Sequence, residues 1–533
     1  MTVSKNRSAT ISRDGYEVPI KRWSRRDLLS VLPAAAIGAL AAAQPCGSVS
    51  AEPLAEKFPF RDRQPHLNDA ADHVGSVEFD SSNRQLVDGF HWAKAEALQY
   101  AHKSAPVGPW YEASLPGRNA FCMRDVSHMS NGAHILGLQA QNKNMLRKFA
   151  NAISPARDWC SYWEITRDNL PAPVDYQNDQ HFWFNLPANF DVLNACYRQY
   201  LWTGDHDYLS GYFLTFYRHT VTDYVDKWDV GGGIVGALPQ DGTRGVGSYN
   251  EDVGGIQIGA DLLASQYRAY CSFSAIERLL GKNDIAADFA RRAQGLRQKF
   301  NREWWDKRAR RYFFAVGGSG CFVDIDPRSA GTLMCLPLYY GLVEPEDRNR
   351  SSLDEMEHYL GVSDATVKSL RDGLETRTYL PDIYYRYGRS EQGCQTLIAL
   401  MDPRLYRREY PEVSFTVVGN LATGLMGIGV DHASGDFQTF PQLSRGTQWA
   451  AMRHIPIGAQ LISVRHDGNG KTSVTNESGS PLRWRATFAS GSDNLMVNGR
   501  KAALSEMVPN TFPYLKTVLV TVPAGEECVV TST

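Results

Sequence analysis

Several signatures of common protein classes are missing from this 533-residue sequence. Its nine cysteines form no Cys-x-x-Cys pair and no zinc or iron spacing, so neither a metal centre nor an organic cofactor is predicted. A formal net charge of −2 gives no reason to expect a nucleic acid as partner. The apolar run near the N-terminus is short for a membrane span and is broken by Pro33 and Gly38.

The N-terminus instead has the pattern of an export signal. The twin arginine Arg25-Arg26 precedes the apolar run "LLSVLPAAAIGALAAA", and "VSAEP" offers a cleavage site after Ala51, with an alternative after Ala43. We therefore predict a cleaved twin-arginine signal peptide over residues 1–51. Export by this route delivers a folded protein to the bacterial periplasm or beyond, with no stable membrane span after cleavage.

A polar leader over residues 52–80 is followed by apolar residues at helical spacing, as in "NRQLVDGFHWAKAEALQYAHKS" and "GADLLASQYRAYCSFSAIERLLG". The helical segments recur in pairs. Short links such as "TGDHDY" alternate with long links rich in aromatic residues, glycine, proline and charge. This alternation predicts a mainly α domain over residues 81–455, a toroid of helical hairpins whose long loops build a site at one end. An irregular helical domain is the alternative.

The pattern changes after residue 455. Alternating and β-branched stretches such as "LRWRATFAS" and "TVLVTVPAGEECVVTS", with turns such as "DGNG", predict a small C-terminal β-sandwich over residues 456–533. A structural cap on the helices is the favoured role for this domain.

The long links combine carboxylates with tryptophan, tyrosine and arginine, and each ends just before an apolar helix. They are "GPWYEASLPGRNAFCMRD", "RDWCSYWEITRDNLPAPVDYQNDQHFWFNLPAN", "VGGGIVGALPQDGTRGVGSYNEDVGG", "VGGSGCFVDIDPRSAG", "LETRTYLPDIYYRYGRSEQG" and "RLYRREYPEVSFTVVGN". Aromatic faces stack on sugar rings while Asp, Asn and Arg bind hydroxyl groups. A saccharide cleft is therefore favoured over ordinary solvated loops.

Three stretches carry a family resemblance: "PGRNAFCMRDVSHM", "YWEITRDNLPAPVDY" with "NLPANFDVLNACYRQYLWTGD", and "YPEVSFTVVGNLATGLMGI". They resemble the six-hairpin glycosidase superfamily, within it the α-L-rhamnosidases and glucoamylase-like enzymes, over residues 85–530. The resemblance implies an (α/α)6 barrel and a glycoside hydrolase. The pair Arg124-Asp125 resembles the Arg-Asp that opens the second helix of these enzymes, where the Asp binds sugar hydroxyls. The large β domains that precede the barrel in rhamnosidases have no counterpart here.

In inverting members of the superfamily the general acid precedes the sixth helix and the base precedes the twelfth. The resemblance therefore implies Glu251 as acid, with Asp252 competing, and Glu412 as base, with Glu409 competing. Independently, glycoside hydrolysis needs two carboxyl groups flanking the bond, one protonated and one ionised. A neighbouring carboxylate such as Asp252 favours the protonated form of Glu251. Helix capping is the structural alternative for Glu251, as is a structural role for Glu412.

The remaining candidates are predicted to contact substrate. In full, the candidate substrate-binding residues are Arg124, Asp125, Trp163, Glu164, Arg167, Asp179, Tyr249 and Tyr410. The second link also offers Glu164, Asp168, Asp175 and Asp179, which could bind substrate or supply the acid. His128, three residues after Asp125, is interpreted as orienting that residue or as a core histidine. Asp191 is expected to pair with an arginine.

Seven of the arginines in the long links raise the hypothesis of an acidic sugar such as a uronate; they are Arg118, Arg124, Arg167, Arg244, Arg377, Arg386 and Arg389. Pairing with loop carboxylates is the alternative. Other function classes stay open. A polysaccharide lyase on a helical toroid would use Tyr379, Tyr384, Tyr385 or His181, and a non-catalytic saccharide-binding protein would need no catalytic pair. Too few histidines lie in the long links to favour an epimerase. The sugar, its linkage, the stereochemical outcome and the oligomeric state are not predicted by the sequence.

Overall fold

The computed structural model describes residues 73–237, 244–370, 372–430, 436–489, 494–503, 506–508 and 515–533. The predicted signal peptide, both cleavage positions and most of the predicted leader lie outside the described residues.

Helices occupy most of the described chain before residue 425. They are α1 (Arg84–Gln99), α2 (Met123–Ile135), α3 (Gln139–Ala152), α4 (Pro187–Thr203), α5 (Gly211–Val221), α6 (Asp223–Trp228), α7 (Ala260–Leu279), α8 (Asn283–Glu303), α9 (Thr332–Tyr339), α10 (Glu346–Leu360), α11 (Asp364–Val367), α12 (Leu374–Arg377), α13 (Leu380–Arg386), α14 (Ser390–Leu400) and α15 (Pro411–Asn420). A π-helical turn, Leu421–Leu425, continues α15.

Two kinds of helix alternate, and the sequence explains the difference. In α8 the buried residues Ala286, Phe289, Ala293 and Phe300 form one stripe at helical spacing, so this helix packs by one face only. In α4 nearly every residue is buried, including polar Asn189 and Gln199, so α4 is surrounded by protein. The mostly buried helices contact one another in succession: α2 with α4, α4 with α7, α7 with α9, α9 with α13, and α15 with α2.

Short strands connect the helices. They are β1 (Glu78–Ser81), β2 (Ala101–His102), β3 (Trp110–Tyr111), β4 (Ala120–Cys122), β5 (Glu164–Thr166), β6 (Tyr176–Asn178), β7 (His181–Phe182), β8 (Ile256–Gly259), β9 (Trp305–Asp306), β10 (Arg311–Tyr312) and β11 (Ala315–Gly317). The antiparallel pair β4–β5 joins the first long link to the second, aligning Cys122 with Glu164.

The C-terminal part is built from strands. They are β12 (Gly429–Val430), β13 (Phe437–Thr439), β14 (Trp449–Ile457), β15 (Gln460–Asp467), β16 (Lys471–Asn476), β17 (Leu482–Ala489), β18 (Leu495–Val497), β19 (Arg500–Lys501), β20 (Glu506–Val508), β21 (Leu515–Val522) and β22 (Glu527–Ser532). They form sheets of order β1-β14-β15-β16-β22-β18-β19 and β12-β13-β17-β21-β20. Alternating residues such as Val464 and Trp484 bury one face of each sheet in a shared hydrophobic cluster.

Two sequence boundaries differ from the structure. The predicted division at residues 455 and 456 falls inside β14, because the strand begins earlier, at Trp449. Residues 78–80 of the predicted leader belong to β1, which pairs with β14 from Glu78↔Arg453 to Ser81↔Ala450.

The fifth long link is partly helical. Pro381 does not prevent this, because it occupies the first turn of α13, where a missing N–H costs nothing.

The described cysteines are free thiols, with Cys196 and Cys335 buried and Cys271 half-buried. Of the helices within the described ranges, none is long and apolar enough to cross a lipid bilayer.

Close packing of α2 against α15 depends on a glycine. A Cβ atom added to Gly132 would lie 2.0 Å from the backbone oxygen of Phe415, a contact that real Cβ atoms do not make. The two helices that begin with Arg124 and Glu412 in their first turns therefore approach backbone to backbone.

Replacing Gly132 by Ala should lower the free energy of unfolding by about 3 kcal/mol, because the backbones must separate. Chemical denaturation checks this, with Gly295→Ala as the matched control. Gly295 is exposed in the middle of α8 with no atom within 4 Å of an added Cβ, so that variant should be about 1 kcal/mol more stable. Equal stability of the Gly132 variant and wild type would contradict the packing argument.

Candidate active site

The first turns of α2 and α15 place four predicted site residues in contact. We call Arg124, Asp125, Tyr410 and Glu412 the helix-start cluster. Arg124 donates to Asp125 Oδ1 through Nε at 3.0 Å and Nη2 at 2.7 Å. Tyr410 donates its hydroxyl to the other oxygen of Asp125 at 2.7 Å, across 285 residues of chain. These contacts bring together residues from the first and sixth long links.

Asp125 is almost completely buried. Burial raises the pKa of this carboxyl to about 6, although the Arg124 charge and the Tyr410 hydrogen bond oppose the rise; the nearby Glu412 charge adds to it. A buried carboxyl fixed by two donors has little freedom to turn.

Glu412 is the most enclosed member of the helix-start cluster, with 0% of its side chain exposed. Its Oε1 lies 2.7 Å from Nδ1 of His128. Its Oε2 forms an ion pair with Arg124 Nη2 at 3.6 Å and has no hydrogen-bond partner among the described residues. His128 therefore binds Glu412 and not Asp125, the residue that the helical spacing indicated.

The competing residue for the base lies outside this cluster. Glu409 is exposed, and its backbone oxygen accepts a hydrogen bond from the hydroxyl of Tyr100. Of the two carboxylates in the sixth link, only Glu412 lies in the helix-start cluster.

Glu251 lies in the turn that leads to β8, in the third long link. The residue as a whole is exposed, yet its carboxyl group lies near the side-chain donors Asn185 and Trp183 and in the field of Arg124. Partial burial of the carboxyl raises the pKa of Glu251; Arg124 and the two donors oppose this shift, and Asp252 adds to it. Arg124 thus interacts electrostatically with both predicted catalytic carboxyl groups.

Two neighbouring carboxyl groups, those of Glu164 and Asp175, lie on the side of the site that holds Glu251. Glu164 is buried and accepts a hydrogen bond from Arg118 Nη1 at 2.9 Å. Asp175 lies beside Glu164 and in the field of Glu251. Burial, a hydrogen bond with Glu164 and the two negative charges raise the pKa of Asp175 to about 8, against the opposing Arg118 charge. The raised pKa favours the protonated form of Asp175, so this residue remains an alternative to Glu251 as the acid.

Trp163 from the second link and Tyr249 from the third link lie side by side, with their ring centroids 6.1 Å apart. The Tyr249 hydroxyl donates to Asp191 at 2.7 Å, and the Tyr340 hydroxyl donates to its other oxygen at 2.8 Å. Asp191 thus accepts from two tyrosines, where sequence reasoning expected an arginine. Burial raises the pKa of Asp191 to about 6 despite these two hydrogen bonds.

Two residues that were predicted to contact substrate, Arg167 and Asp179, lie outside the helix-start cluster. Arg167 is exposed at the end of β5, and only its backbone takes part in the hydrogen bonds that the described residues show. Asp179 accepts from Arg157 Nη1 at 2.6 Å and from the Tyr176 hydroxyl at 2.7 Å. In the described part of the chain, no hydrogen bond or ion pair joins either residue to the helix-start cluster.

Four of the seven arginines that raised the acidic-sugar hypothesis form ion pairs with carboxylates. The pairs are Arg118–Glu164, Arg124–Asp125, Arg244–Asp158 and Arg389–Glu357. Pairing within the protein, the alternative considered for these arginines, is thus observed at several positions. An acidic substrate stays a prediction.

Comparison with known proteins gives a likeness of fold. No family model and no curated protein matches the sequence. Three similar solved structures are a sialidase (TM-score 0.55, 11% identity), a putative kojibiose phosphorylase from human microbiome (0.53, 10%) and an α-L-rhamnosidase from Dictyoglumus thermophilum (0.52, 15%). In the same order, the matches cover 87%, 84% and 86% of this chain. This chain covers 42%, 64% and 50% of the lengths of those proteins. The predicted resemblance to six-hairpin glycosidases is confirmed at the level of the fold.

Proposed function

We propose that this protein is an exported glycoside hydrolase that cleaves an oligo- or polysaccharide with inversion, with Glu251 as general acid and Glu412 as general base. The observation that carries the proposal is Arg124, which forms an ion pair with Glu412 and lies in the field of Glu251. Two carboxyl groups around one bond are what glycoside hydrolysis requires. The likeness of fold to glycoside-active enzymes adds support.

In the proposed reaction, protonated Glu251 gives its proton to the glycosidic oxygen while the bond to the anomeric carbon breaks. Ionised Glu412 takes a proton from a water molecule whose oxygen attacks the anomeric carbon from the opposite face. The products are a free alcohol and a hemiacetal of inverted configuration. Exchange with solvent then returns a proton to Glu251 and removes one from Glu412. Asp125 and Glu164, both held by arginine, would bind hydroxyl groups of the sugar.

We also propose that the helices close into an (α/α)6 toroid. Support comes from the succession of contacts through α2, α4, α7, α9 and α13, and from the return contact of α15 with α2. In this arrangement, Glu412 and Asp125 lie at one end of the toroid with the long links. Export through the twin-arginine pathway is proposed from the N-terminal sequence alone.

The lyase alternative finds less support in the surroundings of its candidate bases. Tyr379 is buried with its ring stacked on His128, and burial raises the pKa of its hydroxyl well above the ordinary value. A tyrosine that holds its proton so firmly is a poor base at neutral pH. Tyr385 is buried in the same way, with the same effect on its pKa.

The test is hydrolysis of a panel of purified oligosaccharides, with the first-formed anomer followed by proton NMR. The panel contains α-L-rhamnosides, glucobioses and uronate-containing oligosaccharides. We expect new reducing ends whose initial anomeric configuration is opposite to that of the substrate. An unsaturated, ultraviolet-absorbing product would identify a lyase, and sugar binding without cleavage would identify a binding protein. Cleavage of neutral sugars alone would remove the uronate hypothesis.

A further inference from the structure

A buried imidazole lies between two carboxylates from distant parts of the chain. His128 Nδ1 is 2.7 Å from Glu412 Oε1, and His128 Nε2 is 3.5 Å from Asp382 Oδ2. Only 2% of the His128 side chain is exposed. Because an ionised carboxylate only accepts hydrogen bonds, Nδ1 carries the hydrogen at the Glu412 contact.

The ring of His128 is held on its faces as well as at its nitrogens. Tyr379 stacks on it with centroids 3.7 Å apart and planes 7° apart, and Tyr339 meets it edge-on at 5.9 Å. Asp382 is in turn held by a hydrogen bond from Asn420 Nδ2 at 2.9 Å. The imidazole therefore has little freedom to rotate away from Glu412.

The charges around His128 favour its protonated form. Burial alone would lower the pKa of His128, but the ion pair with Asp382, the hydrogen bond to Glu412 and the negative charges of both carboxylates outweigh burial and raise it. The other charged groups nearby are Arg124, which contacts Glu412, Asp125, whose pKa the Glu412 charge raises, and Arg198, which donates to the Tyr339 hydroxyl at 3.1 Å. One buried imidazolium between two carboxylates satisfies the rule that buried charges are paired.

We infer that His128, supported by Asp382, is a positioning residue that keeps Glu412 ionised and turns its free oxygen toward the reacting water. This inference rests on the proposed function of Glu412. His128 occupies Oε1 of Glu412, so Oε2, which makes no hydrogen bond to the described residues, is the oxygen left to accept a proton. A positive charge beside a carboxylate favours its ionised form and so extends the pH range in which it acts as base.

The first experiment compares His128→Gln with His134→Gln. Gln retains a hydrogen-bond donor but carries no charge. His134 is a matched control because it is equally buried in α2, bonds the backbone oxygen of Pro456 at 2.9 Å and stacks on Trp202. We expect the His128 variant to lose about 10- to 100-fold in kcat with KM nearly unchanged. The acidic limb of its kcat profile should move up by about one pH unit.

His134→Gln should keep the wild-type kcat profile. An acidic limb that stays in place in His128→Gln, or one that moves equally in His134→Gln, would overturn the inference. If His128→Gln does not fold, Asp382→Asn replaces it, since 22% of the Asp382 side chain is exposed. This variant should lower kcat about tenfold with KM nearly unchanged, and an unchanged kcat would overturn the inference.

A second measurement needs no substrate. Infrared titration of the folded protein, with the Glu412 band assigned by its absence in Glu412→Gln, should show Glu412 taking up its proton at a higher pH in His128→Gln than in wild type. If that shift occurs while wild type cleaves no glycoside, the effect of His128 on the ionisation of Glu412 stands and the hydrolase proposal fails. If wild type cleaves glycosides and the Glu412 band does not shift, the positioning role fails alone.

Discussion

Replacing Glu412 by Gln is expected to lower kcat about a thousandfold while the protein stays folded and still binds sugar. Gln has nearly the same shape, so contacts with His128 and Arg124 can persist, but its amide oxygen cannot take a proton from water. Initial rates on the best substrate of the panel measure the loss. Titration calorimetry with the sugar product measures binding.

The control for this prediction is Glu409→Gln, three residues earlier. Glu409 is exposed and lies outside the helix-start cluster, so its replacement should leave kcat within about twofold, as is usual for surface substitutions. The reverse result, with Glu409 essential and Glu412 dispensable, would remove Glu412 from the role of base. Because Glu412 is buried beside a charged imidazole, a thermal melt of each variant must accompany the rates.

Replacing Glu251 by Gln should lower the rate about 10²- to 10⁴-fold on natural glycosides and much less on glycosides with an acidic phenol as leaving group. A good leaving group departs without being protonated, so only the natural substrate needs the acid. Rates on both substrate types, measured for Glu251→Gln and for Asp175→Asn, decide which carboxyl group supplies the proton. An equal loss on both substrates would argue against an acid role for the residue replaced.

Asp252→Asn tests the same assignment through pH. The negative charge of Asp252 contributes to the raised pKa of Glu251, so its removal should lower that pKa. The acid is active in its protonated form, and activity is lost as pH rises through its pKa. The basic limb of the kcat/KM profile should therefore move to lower pH in Asp252→Asn, with the maximal rate retained. A basic limb that stays in place would mean that Glu251 does not control it.

How much of the site was predictable depended on the range of each contact. Arg124, Asp125 and Glu412 were identifiable because the short stretches that contain them resemble motifs of a known family. The partner of His128 was not, because helical spacing pointed to Asp125, three residues away, whereas Glu412 is 284 residues away. Asp191 was misjudged similarly, because its tyrosine partners come from other segments.

Asp382 illustrates a different difficulty. The stretch around Asp382 was interpreted as a loop because it contains proline and several charges. In the structure Pro381 lies in the first turn of α13. This helix places Asp382 Oδ2 3.5 Å from His128 Nε2. The helical and sheet-rich parts of the fold were predictable from their different periodicities. The join between them was not, because β1 pairs with a strand some 370 residues later, and no local pattern encodes such a pairing.

The hydrogen bond between Asp125 and Tyr410 spans 285 residues, and α2 reaches α15 through Gly132 with no room for a side chain between them. A chain still being synthesised therefore lacks one half of the site until nearly all of the helical part has been made. Contacts of such long range also slow folding, because much of the chain must be ordered before they form. Catalytic competence would then appear late and all at once. Activity regained during refolding would report the packing of α15 against α2. An export route that carries only folded proteins, as proposed above, would suit such a chain.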